Sequence, residues 1–226
     1  MARRLIGRTR SALARTRRCG KTSHAFASDG TLAAERLLTE TLRHVAQALE
    51  EIPAPSMIIG GVAVIAAGVP RETIDVDAAI AGRQSDIESV VEAFARHAIV
   101  PRISDAVAFA RERQVLLLQD TNSGVTIEVS FAWLPFEEEA LARARRIDLG
   151  GVSVAVAIPE DLVIYKAAAW RDRDRSDIER LLVLHGSEMD IARVRDLVRQ
   201  IATALEDPAR IAAFDAILDR AGIYPS

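Results

Sequence analysis

Apolar positions along the chain recur with two spacings, and the change between them divides the chain into two parts. In residues 31–157, short apolar runs with period two alternate with stretches of helical spacing. From residue 158 onward the apolar positions keep helical spacing alone. We therefore predict an α+β fold. A small mixed β-sheet with flanking helices would occupy 31–157, and a C-terminal helical region would occupy 158–226.

The individual elements follow from the same pattern and from the turn residues between them. Strands are predicted at residues 57–59, 74–80, 114–118, 125–131 and 152–156. Helices are predicted at 31–51, directly after the glycine pair 60–61, at 84–98, from residue 137, and at 161–170, 176–184, 190–205 and 208–221. Pro159 followed by two acids is typical of a helix start.

Charge is unevenly distributed along the 226 residues. Residues 1–30 hold eight basic residues and one acid, so 21 basic and 31 acidic residues remain in the rest of the chain. This acidic body argues against a broad nucleic-acid-binding surface. The basic segment is consistent with an extension from a misassigned start codon, a flexible arm or a transit-like peptide. We favour a disordered extension.

Composition limits the class of protein further. No uninterrupted apolar run is long enough to span a membrane, which predicts no membrane association. A single cysteine, Cys19, excludes an internal disulfide framework and fits a reducing compartment. We therefore expect a cytoplasmic protein.

Two aspartates alternate with apolar residues in the predicted strand 74–80. Asp75 and Asp77 are two residues apart, so their carboxylates leave the same face of the strand. Two like charges on one face of a largely apolar strand are unfavourable unless a cation lies between them. Mg²⁺ prefers oxygen ligands and commonly takes substrate phosphates into its coordination shell.

Gly60 and Gly61 precede these aspartates at a strand-to-helix turn. Glycines allow the backbone to approach a ligand closely, and the N–H groups that begin a helix favour an anion. The combination predicts a phosphate cradle beside a metal platform. A turn between a strand and a helix with an Asp-rich edge strand is the structural alternative.

The motif formed by Ile59, Gly60, Gly61, Asp75 and Asp77 resembles the first motif of the nucleotidyltransferase superfamily related to DNA polymerase beta. The resemblance implies that fold, an NTP substrate and one or two Mg²⁺ ions bound by the aspartates. Arg71 and Thr73, which precede the aspartates, resemble the branch that contains AbiEii-type toxins. Arg71 also has the forked donors that suit phosphate, although a surface turn residue is the alternative.

A third carboxylate is predicted on a neighbouring strand because a two-metal site needs more than two acids. Glu128 lies between Ile127 and Val129, and it matches the second motif of the superfamily, where aspartate is common. By this interpretation Glu128 is a metal ligand and a catalytic residue. A solvent-facing glutamate on a half-exposed strand is the alternative.

The helical part also resembles the AbiEii-type branch, through Lys166 and the run Arg171-Asp172-Arg173-Asp174 followed by Asp177. The resemblance implies that Lys166 contacts the triphosphate and that Asp174 and Asp177 order the loop or assist catalysis. The alternatives are a surface lysine with a buried stem and a charge-paired connection between two helices.

The sequence thus predicts a Mg²⁺-dependent nucleotidyltransferase that moves an NMP from an NTP to a hydroxyl acceptor. A non-catalytic nucleotide-binding or interaction module with the same fold is the alternative. The resemblance leaves open a tRNA end, a protein hydroxyl or a small molecule as acceptor. It also implies a toxin role with an antitoxin partner.

Overall fold

The structure is a computed structural model that describes residues 27–81 and 87–224. Most of the basic segment 1–30, with Cys19, lies outside the described residues, as does the predicted helix start at 84–86. Within the described residues one mixed sheet has seven strands, in the order β3-β4-β5-β2-β1-β7-β6. The strands are β1 (Ser56–Ile59), β2 (Asp75–Ile80), β3 (Ile99–Pro101), β4 (Val115–Asp120), β5 (Thr126–Phe131), β6 (Arg145–Asp148) and β7 (Ser153–Val156).

Nine α-helices lie in the same described residues. They are α1 (Ala27–Glu50), α2 (Gly60–Ala66), α3 (Ile87–Ala95), α4 (Ala106–Arg113), α5 (Pro135–Arg143), α6 (Pro159–Ala169), α7 (Asp172–His185), α8 (Ile191–Ala204) and α9 (Ala209–Ala221). Helices α6 to α9 pack on one another, and α6 contacts α2 beside the sheet. The α+β arrangement predicted from the sequence is confirmed, with the helical region following the sheet.

Period-two alternation decides which face of the sheet is buried. Along β5, Ile127, Val129 and Phe131 are buried, whereas the residues between them are partly exposed. The neighbouring strand β4 alternates in the same way. The apolar face belongs to one continuous core with the apolar sides of the helices. The opposite face therefore remains available for polar side chains.

Three short elements were not predicted, namely β3, α4 and β6. The predicted helix 84–98 extends too far, because α3 ends at Ala95 and Ala98 takes a left-handed conformation with φ 59° before β3. The predicted start of the helix 176–184 is also wrong, because α7 begins at Asp172. The Asp174 carboxylate accepts the Arg171 backbone N–H at 3.0 Å and so caps the earlier start.

Helix α1 is tied to the end of β4 by a buried carboxylate. Asp120 is fully buried and accepts a 2.6 Å hydrogen bond from His44 Nδ1. It also accepts the backbone N–H groups of Asn122 at 2.8 Å and Ser123 at 3.2 Å. The Thr41 and Ser123 hydroxyls are 2.6 Å apart. This polar contact fixes the end of β4 and the following turn against α1.

Removal of this carboxylate should destabilise the fold in a pH-dependent way. Burial acts to raise the pKa of Asp120, but it is outweighed by the hydrogen bonds from His44, Asn122 and Ser123, so the pKa is lowered. Stability from this group is therefore present above the unfolded pKa of about 3.9 and is lost as the pH falls through the lower folded pKa. Asp120→Asn should lower the free energy of unfolding, measured in urea, by about 1–3 kcal/mol at pH 7. The loss should be smaller below about pH 4.

Asp196→Asn is the matched control, because Asp196 is exposed and pairs with Arg199 and Gln200 on its own helix. It should change the free energy of unfolding by less than about 0.5 kcal/mol. An Asp120→Asn variant as stable at pH 7 as this control would contradict the proposed tie.

Candidate active site

The three predicted carboxylates lie on two neighbouring strands. β2 and β5 are parallel, and their register places Asp77 opposite Glu128 and Asp75 opposite Thr126. Asp75, Asp77 and Glu128 share the partly exposed face of the sheet, while Val76 between the aspartates is fully buried. The prediction that the acids share one face is therefore correct in geometry.

The closeness of these acids changes their acidity. Burial raises the pKa of Asp77 to about 7, with further contributions from the charges of Asp75 and Glu128, against the lowering effect of Lys166 and Arg171. Burial also raises the pKa of Glu128, opposed by Arg102 and assisted by Asp75. The folded protein thus holds negative charge where negative charge is unfavourable.

Gly60 and Gly61 make room for the side chains around β2. A Cβ on Gly60 would lie 1.8 Å from Asp77 Oδ2, and Gly60 has φ +65°, a conformation that other residues seldom adopt. A Cβ on Gly61 would lie 2.2 Å from Thr73 Oγ1 and 3.1 Å from Arg71 Nη2. The two glycines therefore let the protein's own side chains lie against the turn, whereas the predicted phosphate cradle stays a prediction.

Thr73 and Arg71 connect the turn before β2 to the site. Thr73 Oγ1 donates to Asp75 Oδ1 at 2.7 Å, which orients that carboxylate. Arg71 Nη1 donates to Asp177 Oδ2 on α7 at 2.7 Å, and its side chain is only 7% exposed. The alternative of a surface turn residue does not hold for Arg71.

Lys166 is buried and lies between two acids of α7. Its Nζ is 2.9 Å from Asp177 Oδ2 and 3.2 Å from Asp174 Oδ1, and the side chain is 6% exposed. Asp174 also accepts Arg171 Nε at 2.7 Å. We call this series, Arg71-Asp177-Lys166-Asp174-Arg171, the ion-pair chain. It joins the turn before β2 to the corner between α6 and α7, and it excludes the alternative of a surface lysine.

Two basic residues of the site were not predicted as site residues. Arg171 is 49% exposed. Burial acts to lower its pKa, but Asp174, Asp77 and Glu128 outweigh that effect and raise it. Arg102 Nη2 lies 3.6 Å from Glu128 Oε1. The Arg-Asp run around Arg171 was a usable signal, whereas nothing near Arg102 in the sequence distinguishes it.

The carboxylates supply the donor type that a divalent metal requires. In residues 27–81 and 87–224, no group of three or more His, Cys, Asp or Glu side chains has the spacing of a metal site.

Among the helices that the structure describes, none combines the length and the apolar character that a membrane span requires.

Comparison with known families shows that the chain is a nucleotidyltransferase. Residues 36–216 match the family described as "Nucleotidyltransferase of unknown function (DUF6036)", so the chain belongs to that family. The match spans both the sheet and the helical region. No curated protein matches the chain. The family match does not address the AbiEii-type branch, which stays a prediction.

Several solved structures resemble the chain. They include the antibiotic-resistance factor ANT(2'')-Ia in solution, at 18% identity over 85% of this chain and 99% of that one, with a TM-score of 0.44. The crystal structure of ANT(2'')-Ia with adenylyl-2''-tobramycin has 19% identity, covers 74% and 98% of the two chains, and has a TM-score of 0.47. An antigenic nucleotidyltransferase-like protein from Paracoccidioides brasiliensis has 19% identity, coverage of 79% and 93%, and a TM-score of 0.45. At these TM-scores the similarities carry no argument about substrate.

Gly60→Ala should destabilise the protein through a clash with Asp77. Gly68→Ala is the control, because Gly68 also has a positive φ of +86° but no atom lies within 4 Å of the added Cβ. Gly60→Ala should cost about 1–3 kcal/mol more than Gly68→Ala in urea unfolding, because overpacking adds to the backbone strain.

A double-mutant cycle identifies the clashing partner. The added Cβ would also lie 2.6 Å from Asp77 Cβ, so Asp77→Gly removes the three nearest clashing atoms whereas Asp77→Ala does not. In the Asp77→Gly background, the excess cost of Gly60→Ala should disappear. An unchanged excess would show that the clash lies elsewhere.

Asp77→Asn should stabilise the protein increasingly as the pH rises. The folded pKa of about 7 exceeds the ordinary aspartate pKa of 3.8, so the native state binds more protons between these values and loses stability as the pH rises through them. Asp77→Asn should therefore raise the free energy of unfolding by roughly 2–4 kcal/mol more at pH 8 than at pH 4, because each pKa unit corresponds to about 1.4 kcal/mol. Urea unfolding at both pH values measures this difference.

The exposed Asp219 provides the control for this measurement. Asp219→Asn should give the same small change in the free energy of unfolding at pH 4 and pH 8. A pH-independent effect of Asp77→Asn would mean that burial and the neighbouring carboxylates do not raise the pKa of Asp77.

Proposed function

We propose that this nucleotidyltransferase is Mg²⁺-dependent and transfers an NMP from an NTP to a hydroxyl acceptor. One observation carries the proposal, namely the β2–β5 register that places Asp77 beside Glu128, two residues along from Asp75. Structural ion pairs in proteins normally match charges of opposite sign. A concentration of carboxylates that neighbouring cations offset only in part is better explained by a cationic ligand.

The residues present suit a magnesium ion in donor chemistry. Asp75, Asp77 and Glu128 offer only carboxylate oxygens, which Mg²⁺ prefers. Burial and the two neighbouring carboxylates raise the pKa of Asp77, and a divalent cation would offset both effects. These three residues would hold one or two Mg²⁺ ions. When bound, Mg²⁺ would neutralise charge on the NTP phosphates and favour attack at the α-phosphorus.

Nucleotide binding is assigned to the turn before β2, the turn after β1 and the corner between α6 and α7. Gly60 and Gly61 would present backbone N–H groups to phosphate oxygens, with Thr73 orienting Asp75 beside them. Lys166 and Arg71 would add positive charge toward the triphosphate from within the ion-pair chain. Asp174 and Asp177 would hold those two cations in place.

Arg171 extends this assignment. Its side chain is 49% exposed, compared with 7% for Arg71 and 6% for Lys166. Its charge acts on both Asp77 and Glu128. We therefore assign direct contact with phosphate oxygens to Arg171, whose forked donors suit such oxygens.

The reaction then follows from the positions of these groups. The acceptor hydroxyl oxygen would form a bond to the α-phosphorus of the NTP. The bond from that phosphorus to the oxygen that links it to the β-phosphorus would break, which releases pyrophosphate. The Glu128 carboxylate, whose pKa is raised by burial, would accept the hydroxyl proton. Positioning and charge stabilisation would supply most of the rate.

The acceptor class, the toxin role and the cellular location are inferred from the sequence. The acidic body favours a protein hydroxyl or a small molecule over a tRNA end as acceptor. The resemblance of residues 71–77 and 159–177 to the AbiEii-type branch supports a toxin role with an antitoxin protein as partner. The single cysteine supports a cytoplasmic location.

Label transfer tests this proposal. The protein is incubated with Mg²⁺, each α-labelled NTP, total tRNA and cell lysate, and label is followed into RNA, protein and small molecules. Asp75→Asn/Asp77→Asn should lower transfer at least about a hundredfold, because several kcal/mol of charge stabilisation are lost. EDTA should abolish transfer by the wild type. The acceptor fraction that takes up label identifies the acceptor class.

Asp219→Asn, a change of the same chemistry on the exposed side of α9, should leave transfer unchanged. Transfer that survives in the double variant or in EDTA would overturn the metal assignment. Mg²⁺-dependent NTP binding with no transfer to purified acceptors of all three classes would favour the non-catalytic module.

A further inference from the structure

The corner between α6 and α7 lies beside two cations of the site, Lys166 and Arg171, and has an unfavourable backbone conformation. Only Trp170 and Arg171 separate the two helices. Trp170 adopts the left-handed region with φ 56°, which is rare for a bulky residue, and its backbone N–H donates to Lys166 O at 2.9 Å. Such a conformation persists only when its surroundings stabilise it. Lys166 and Arg171 flank it on either side.

Arg210, on α9, supplies that stabilisation from 40 residues further along the chain. Its Nη1 donates to the backbone carbonyls of Ala167 at 3.0 Å and Ala168 at 2.9 Å. The carbonyls in the last turn of a helix lack partners within the helix, and a positive charge there is favourable. Arg210 is 3% exposed, so these hydrogen bonds are shielded from water.

The same guanidinium also contacts the strained residue directly. The Arg210 Cζ atom lies 5.6 Å from the centroid of the Trp170 ring, within the range of a cation–π interaction. On α9's own side, Asp207 Oδ2 lies 3.2 Å from Nε and 3.1 Å from Nη2. One planar group therefore engages the end of α6, the ring of the corner residue and the start of α9.

We propose that Arg210 is a positioning residue that fixes the α6–α7 corner and thereby sets the placement of Lys166 and Arg171 for the nucleotide. The role in nucleotide binding rests on the proposed function. The role in fixing the corner rests only on the contacts above. The contacts above join Arg210 to the last turn of α6 and to the Trp170 ring, so it acts through the corner.

Arg210 connects helix α9 to the corner that lies beside Lys166 and Arg171. α9 packs on α7 and α8, and through Arg210 it reaches the last turn of α6. Movement of α9 would release the two carbonyls and the Trp170 ring together. The phosphate-binding corner should therefore loosen as a unit.

Three variants of the full chain test the inference. Arg210→Met keeps much of the aliphatic volume and removes the guanidinium, and Arg210→Lys keeps the charge but not the planar fork. Arg195→Met is the matched control, because it also removes a guanidinium that ties α9 to another helix. Arg195 on α8 forms two 2.7 Å hydrogen bonds to Asp215 on α9. Each variant is measured by urea unfolding, by amide hydrogen exchange across residues 166–175, and by KM for the NTP and kcat.

Arg210→Met should speed exchange at residues 166–175 about tenfold relative to Arg195→Met and raise KM by a similar factor, because two buried carbonyls lose their partner. The kcat should fall by less than about threefold, because the three carboxylates keep their places. Arg210→Lys should lie between Arg210→Met and the wild type in both exchange and KM.

Equal exchange at the corner in Arg210→Met and Arg195→Met would overturn the inference, as would an Arg210→Lys variant outside the expected order. If Arg210→Met fails to fold, the comparison of Arg210→Lys with Arg195→Met decides the question. A wild type that neither binds nor transfers an NTP would overturn the proposed function instead. Hydrogen exchange would still decide whether Arg210 fixes the corner.

Discussion

Repulsion among three carboxylates on one face of the sheet is the constraint on which the rest of this structure depends. Asp75 and Asp77 come from one strand and Glu128 from its parallel neighbour. Burial raises the pKa of Asp77 to about 7, with further contributions from the charges of Asp75 and Glu128. Such an arrangement lowers the stability of the fold, and proteins retain unfavourable arrangements of this kind mainly at functional sites.

The surrounding structure partly offsets this repulsion with positive charge brought from the helical region. Lys166 and Arg171 both lower the pKa of Asp77, and both lie beside the corner between α6 and α7. Lys166 is buried only because Asp174 and Asp177 pair with it. An unpaired buried ammonium would be far more costly than an exposed one. The ion-pair chain therefore both holds the helical region against the sheet and keeps cations near the carboxylates.

Sequence patterns predicted most of the elements because most of them follow the local rules of their class. Strand β5 alternates strictly between buried and partly exposed residues, and α6 begins with Pro159 and two acids. The missed elements lack such signals. β3 has only three residues, and β6 reads Arg-Arg-Ile-Asp with no apolar alternation. Hydrogen bonds to β4 and β7 hold these two strands in place, and those partners are not evident in the local sequence.

For the site, the sequence by itself determined the chemistry of its centre. The two-residue spacing of Asp75 and Asp77 places both on one face of any strand, and the Gly60-Gly61 pair marks the turn that approaches them, because both follow from local backbone geometry. Only the tertiary structure decided that β5 pairs in parallel with β2 and sets Glu128 beside Asp77. Likewise, only the fold brought Arg71 to Asp177, which is 106 residues away, and Arg210 to the end of α6. Such contacts depend on how distant segments pack, and no periodicity within a single segment encodes that packing.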